Sequence, residues 1–144
     1  MKAITIRQPW ASLLATGKKQ YETRGWATSY TGSIAIHAAK WPVRRTIDAL
    51  ASAGRWDTLE QFERLFQRPG EVAELPIGVI VGKAILTRCR PIDEAFIAAL
   101  TPQERALGDF TPGRYAWEFA EMTACAQLVP AKGALSLWDW NDGP

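Results

Sequence analysis

Polar and apolar positions alternate over Lys2–Ile6 and stop at Gln8-Pro9, which reads as a short strand followed by a break. Pro9 suits a helix start, so Trp10–Thr16 is expected to be helical, with Leu13 and Leu14 inward and Gly17 at the C-cap. Lys19–Arg24 reads as a second strand, with Lys19, Tyr21 and Thr23 on one face and Gln20, Glu22 and Arg24 on the other. After a loop from Gly25 to Gly32, Ser33–Ala38 is a third strand, its Ile36 alternating with His37. Pro42 opens a helical stretch carrying Val43, Ile47, Leu50 and Ala51 and closing at Gly54. Asp57 and Glu60 have the spacing of a capping box for a helix bearing Leu59, Phe62, Leu65 and Phe66, which Pro69-Gly70 ends. Ile77–Thr87 is β-rich, with Gly78 and Gly82 where backbones approach or bulge. A helix over Asp93–Leu100 precedes a second capping pattern, Thr101-Pro102-Gln103-Glu104. Arg114–Phe119 and Thr123–Val129 read as two strands joined by a hairpin turn near Glu121, and the tail from Trp138 is short. The pattern predicts an α+β fold with a small mixed or closed sheet.

Composition narrows the class. A chain of 144 residues fits one domain, 1–144, and 47% hydrophobic content excludes disorder. No apolar run approaches the ~20 residues of a membrane span. The segment Met1–Gly17 is interrupted by Arg7, Gln8 and Pro9, unlike a secretory signal. Two cysteines, Cys89 and Cys125, stand in no CxxC spacing, and His37 is the sole histidine. A soluble cytoplasmic protein with no metal site, no cofactor and no membrane partner is expected.

Charge and tryptophan change the picture. Within residues 1–45, eight basic side chains (Lys2, Arg7, Lys18, Lys19, Arg24, Lys40, Arg44, Arg45) face one acid, Glu22, for a net +7. The rest of the chain has the opposite balance, so the total is only +2. A basic third of this kind attracts polyanions in a salt-dependent way. Three of the seven tryptophans, Trp10, Trp26 and Trp41, lie inside it, the mixture that a surface for tracking phosphates and stacking bases uses. Arg44 and Arg45 stand at a helix start, where positive charge opposes the macrodipole.

The densest polar spelling is Gly17-Lys18-Lys19-Gln20-Tyr21-Glu22-Thr23-Arg24, in which Lys19, Glu22 and Arg24 match G-x-K-x-x-E-x-R. With Gln8-Pro9-Trp10-Ala11 before it, Ile36-His37-Ala38-Ala39-Lys40 after it and the late run Gly113-Arg114-Tyr115-Ala116-Trp117, the chain resembles the ASCH family from Lys2 to about Trp140. That resemblance implies a PUA-like small mixed β-barrel with flanking helices and a cleft beside the first helix. The stretch 43–75 would then be a helical insertion after the third strand. It also implies RNA-related roles and, in some members, hydrolysis: cleavage of single-stranded RNA, or removal of acyl groups from the exocyclic amine of cytidine.

From the residues themselves, Lys19 beyond a helix C-cap is placed to bind phosphate or, desolvated beside Arg24, to act as base or nucleophile. Glu22 and Arg24 share a strand face and can simply pair, with Lys19 a solvated charge. Metal-free RNA cleavage needs a base, a cation on the phosphorane and an acid. Lys19, Glu22 and Lys40 are the candidate catalytic residues, with Arg24, Trp10, Trp41, Arg7 and Tyr115 as substrate-binding candidates. His37 reads either as a core histidine or as part of the site. The amidohydrolase branch would ask for a hydroxyl three residues after the lysine, where this chain has Glu22, and for a late carboxylate, for which Glu104 is available. Single-stranded RNA is therefore the first expected partner, with ribonuclease activity ahead of acylcytidine hydrolysis on a modified nucleoside, and a non-catalytic RNA-binding module as the third reading.

Overall fold

A computed structural model of the chain describes residues 1–141. Six strands form one sheet in the order β2-β5-β4-β3-β1-β6. They are β1 (Lys2–Ile6), β2 (Tyr21–Arg24), β3 (Gly32–Ala38), β4 (Val79–Pro91), β5 (Tyr115–Pro130) and β6 (Leu137–Asp139). Helix α1 (Trp10–Ala15) follows β1, α2 (Val43–Ser52) and α3 (Trp56–Leu65) lie between β3 and β4, and α4 (Glu94–Ala99) and α5 (Pro102–Ala106) between β4 and β5. The sheet is mixed: β1 runs parallel to β3, and the other pairs are antiparallel. Its ends, β2 and β6, are not paired to each other, so the expected barrel is an open, curled half-barrel.

The core is where the alternation put it. Ile4, Ile6, Ile34, Ile36, Leu86, Trp117 and Phe119 cluster under α1, whose Ala11, Leu14 and Ala15 complete the packing. Gly82 shows how close α1 comes: a Cβ there would sit 2.6 Å from the Ala15 Cβ and 2.9 Å from the Thr123 carbonyl oxygen. A second layer joins α1 to α3 through Leu13, Phe62, Phe66 and Leu107.

Three elements depart from the sequence pattern. The expected strands 114–119 and 123–129 are one strand, β5, because both halves pair with the same long β4. Glu121, at φ +50°, marks an irregularity within that strand, beside register shifts in the pairing, and makes no hairpin turn. The strand at Lys19 begins two residues later, at Tyr21, since the Lys18 and Lys19 amides both donate to the Leu13 carbonyl and finish the helix. Asp57 does not cap α3. Arg55 is its N-cap and reaches forward to the Asp57 carboxylate and the Thr58 hydroxyl.

Candidate functional site

The candidate site grows from the end of α1. Gln8, fully buried, donates to Ser12 Oγ and the Pro76 carbonyl and accepts from the Ser12 amide, which fixes the start of the helix. Gly17, at φ +75°, turns the chain out of the helix and drives Lys19 inward. The Lys19 side chain is 1% exposed, and its Nζ lies 2.5 Å from Glu104 Oε2. The other Glu104 oxygen accepts from the Gln20 amide at 2.8 Å. Glu104 is the third residue of a helix capped by the Thr101 hydroxyl, which accepts its amide hydrogen. In a capping box that carboxylate would fold back on its own helix; here it reaches across to the lysine. Phe110 presents its ring 5.1 Å from Lys19 Nζ, and a Cβ on Gly108 would come within 3.2 Å of it. Trp10 Nε1 and Thr58 Oγ1 donate to the Leu107 and Ala106 carbonyls, so α1 and α3 both hold the helix that carries Glu104.

Glu22 and Arg24 lie two apart on β2 and share a face. Arg24 Nη2 donates to Glu22 Oε2 and to the Thr5 carbonyl, both at 2.9 Å, and Glu22 Oε1 accepts from the Thr23 amide at 3.2 Å. The Glu22 side chain keeps 13% of its surface.

Around these residues runs a trough of three adjoining compartments. The first, about 260 Å³, is lined by Trp10, Lys19, Glu22, Thr23, Arg55, Gly108 and Asp109 among others. Asp109 is held below the usual carboxylate range, chiefly by the Thr111 hydroxyl donating to it, with Arg114 adding to the effect. The second, about 490 Å³, shares Trp10, Glu22 and Thr23 with the first and adds Thr5, Arg7, Arg24 and Arg114. The third, about 1,120 Å³, shares Thr5, Ala134 and Leu135 with the second and contains Lys40, Lys132 and His37.

His37 is 1% exposed and fully engaged. Its Nε2 lies 2.8 Å from the Ala131 carbonyl, which only accepts, so Nε2 carries the proton. Nδ1 is then the acceptor of the Thr5 hydroxyl at 3.2 Å, and that hydroxyl accepts in turn from Trp138 Nε1 at 3.0 Å. Burial lowers the imidazole pKa, partly offset by the bond to Ala131. No acid lines this compartment, and Lys40 and Lys132 do. The unfolded chain therefore binds a proton more readily, and stability falls as pH drops below the unperturbed value of about 6.5. Thermal unfolding between pH 7.5 and 5.5 should show a falling midpoint, and His37→Gln should flatten that slope; an unchanged slope would remove His37 as its cause.

Of the residues singled out from sequence, Lys19 and Glu22 line one compartment, and Glu22, Arg24, Arg7 and Trp10 line the next. Lys40 stands in the third. Trp10 is a wall whose indole N–H is spent on Leu107 and whose ring meets Phe62 edge-on. Trp41 carries the Arg7 guanidinium 3.9 Å from its ring centroid, so that ring is already engaged. Tyr115 packs on the main core cluster. Lys19 is neither solvated nor beside Arg24; its partner is Glu104. Arg55, Gly108, Asp109 and Phe110 belong to none of the motifs; the last three follow the Thr101 capping pattern closely in sequence, and Arg55 carries no such signal. Among the described residues no three His, Cys, Asp or Glu cluster as a metal site, and no helix is long and apolar enough to cross a membrane.

Comparison with known proteins supports the reading of the motifs. The ASCH domain family matches residues 4–132. No curated protein matches the sequence. Among solved structures, the crystal structure of ASCH from Zymomonas mobilis is similar at a TM-score of 0.59 and 12% identity, covering 98% of this chain and 87% of that one. At that identity the likeness concerns the fold, and a mixed α+β half-barrel is common to both. With the G-x-K-x-x-E-x-R residues gathered at one trough and the family match spanning most of its length, this chain belongs to the ASCH domain family.

Proposed function

We propose that the chain binds single-stranded RNA along the trough and cleaves it without a metal at the junction of the first two compartments. The observation that carries this reading is Glu22: a carboxylate held by the Thr23 amide and Arg24, in a trough where Arg7 and Lys40 pair with no carboxylate among the described residues. A surface that only bound phosphate would gain nothing from a fixed acid there. In the proposed step Glu22 takes the 2′-hydroxyl proton, the 2′-oxygen attacks phosphorus and the bond to the 5′-oxygen breaks. Arg24 and Arg114 face the phosphorane charge and a water in the open trough protonates the leaving oxygen, while Lys19, held by Glu104, lines the first compartment as a fixed part of its wall. Lys40 lies one compartment away, so its role is to hold a flanking phosphate.

One observation favours a second reading. Glu104 comes from a late helix and pairs with Lys19, as the acylcytidine amidohydrolase branch would ask, although Glu22 occupies the place of its hydroxyl. Incubation with fluorescent single-stranded RNA and with acylated cytidine, each with and without chelator, separates the two. Cleavage of RNA alone, insensitive to chelator, is expected; deacylation alone would favour the amidohydrolase, and silence on both a binding module. RNA affinity should fall with salt by about 0.7 in the log–log slope per phosphate contact. Lys40→Ala should remove one such increment for every sequence alike, and a salt-independent affinity would overturn the electrostatic reading.

A further inference from the structure

The cluster around Trp41 does more than the proposed cleavage requires. Arg7 lies 3.9 Å and Arg45 5.2 Å from the centroid of the same indole. Neither arginine has an ion-pair partner among the described residues, and both are exposed. Arg44 adds a third guanidinium in the first turn of α2, which has no acid in that turn and no side-chain cap. Arginines there oppose the helix dipole, and the first turn holds no acid to offset that cost, of which the Trp41 ring returns a part through Arg45. The Trp41 indole N–H is buried and also lacks a partner. Arg7 lines the compartment that holds Glu22 and Arg24, so the cluster borders the trough.

We propose that Trp41 holds Arg7 and Arg45 as a clamp for the terminal phosphate monoester of a single strand whose body lies in the trough. The proposal rests on the RNA reading above and specifies the strand it takes. Two guanidiniums stacked on one ring lose less freedom on binding, and each can make a forked pair with phosphate oxygens. A phosphodiester offers two free oxygens and one charge. A monoester offers three oxygens and, with a second pKa near 6, close to two charges at neutral pH. The arrangement matches the monoester. Trp41 is a positioning residue here, its face engaged by arginine and not by a base.

The test uses one short RNA sequence with a 5′-phosphate, a 3′-phosphate or hydroxyl ends, titrated into the intact protein at fixed salt. One phosphorylated form is expected to bind about tenfold tighter or more than the hydroxyl form, and which one it is sets the strand polarity. The gain should vanish in Arg7→Gln and in Arg45→Gln, shrink in Trp41→Leu and persist in Trp41→Phe. It should also diminish below pH 6 as the monoester takes up a proton. Equal binding of all three forms would overturn the clamp while leaving the RNA reading intact. Binding of none of them would overturn the RNA reading itself, and inorganic phosphate protecting wild type but not Arg45→Gln against thermal unfolding would still support the clamp.

Discussion

Lys19→Met is expected to lower the free energy of unfolding by about 3–5 kcal/mol, the usual cost of stripping one partner from a buried ion pair. With the lysine 1% and the glutamate 10% exposed, water cannot take the place of the missing ammonium. Glu104 would keep its bond from the Gln20 amide through one oxygen and leave the other, which now accepts from Lys19, without a donor. Glu104→Gln should cost a similar amount for the opposite reason, a buried ammonium without its counter-charge. The double variant Lys19→Met with Glu104→Leu should recover much of the loss, because an apolar pair of similar volume needs no desolvation. Urea unfolding of wild type, Lys19→Met, Glu104→Leu and the double variant closes a double-mutant cycle and gives the coupling directly. Single substitutions that each cost under about 1 kcal/mol, the scale of exposed pairs, would show that water reaches the site and that the pair is an ordinary surface bridge.

That pair marks the limit of what could be read from sequence. The local signals worked where the physics is local. Gly17 closes α1, Thr101 caps α5, and Glu22 and Arg24 meet because two residues on a strand share a face. Lys19 and Glu104 are 85 positions apart, and spacing alone cannot say that a capping-box glutamate will abandon its own helix for a lysine across the fold. The turn signal at Glu121 misled for a related reason. A positive φ inside a strand and a hairpin turn look alike in sequence, and only the continuous pairing of β5 with β4 separates them. The tail from Trp138 reads from sequence only as short, yet β6 pairs with β1 and the Trp138 indole completes the hydrogen-bond chain through Thr5 to His37. The basic third was legible as charge, but which aromatic rings remain open for stacking was not: Trp10, Trp41 and Tyr115 are each engaged by the protein itself.

Glu22→Gln is expected to reduce RNA cleavage by about a hundredfold or more, the lower range of what a positioned general base contributes. The substitution keeps the size of the side chain, and its amide oxygen can still accept from the Thr23 amide. It removes the charge that Arg24 now neutralises, so the second compartment becomes more positive and Arg24, still anchored on the Thr5 carbonyl, is freer to face a phosphate. Affinity for single-stranded RNA should then stay the same or rise slightly, with a steeper dependence on salt. Loss of rate with retained binding is the signature of a group that handles a proton and contributes little to holding the strand. It also differs from the Lys19 and Glu104 variants, in which any loss of activity would accompany a lower unfolding midpoint. Single-turnover cleavage and equilibrium binding on the same preparations measure both quantities. Full cleavage by Glu22→Gln would move the chemistry away from the junction of the two compartments, and a parallel loss of binding would make Glu22 a structural partner of Arg24 and no more.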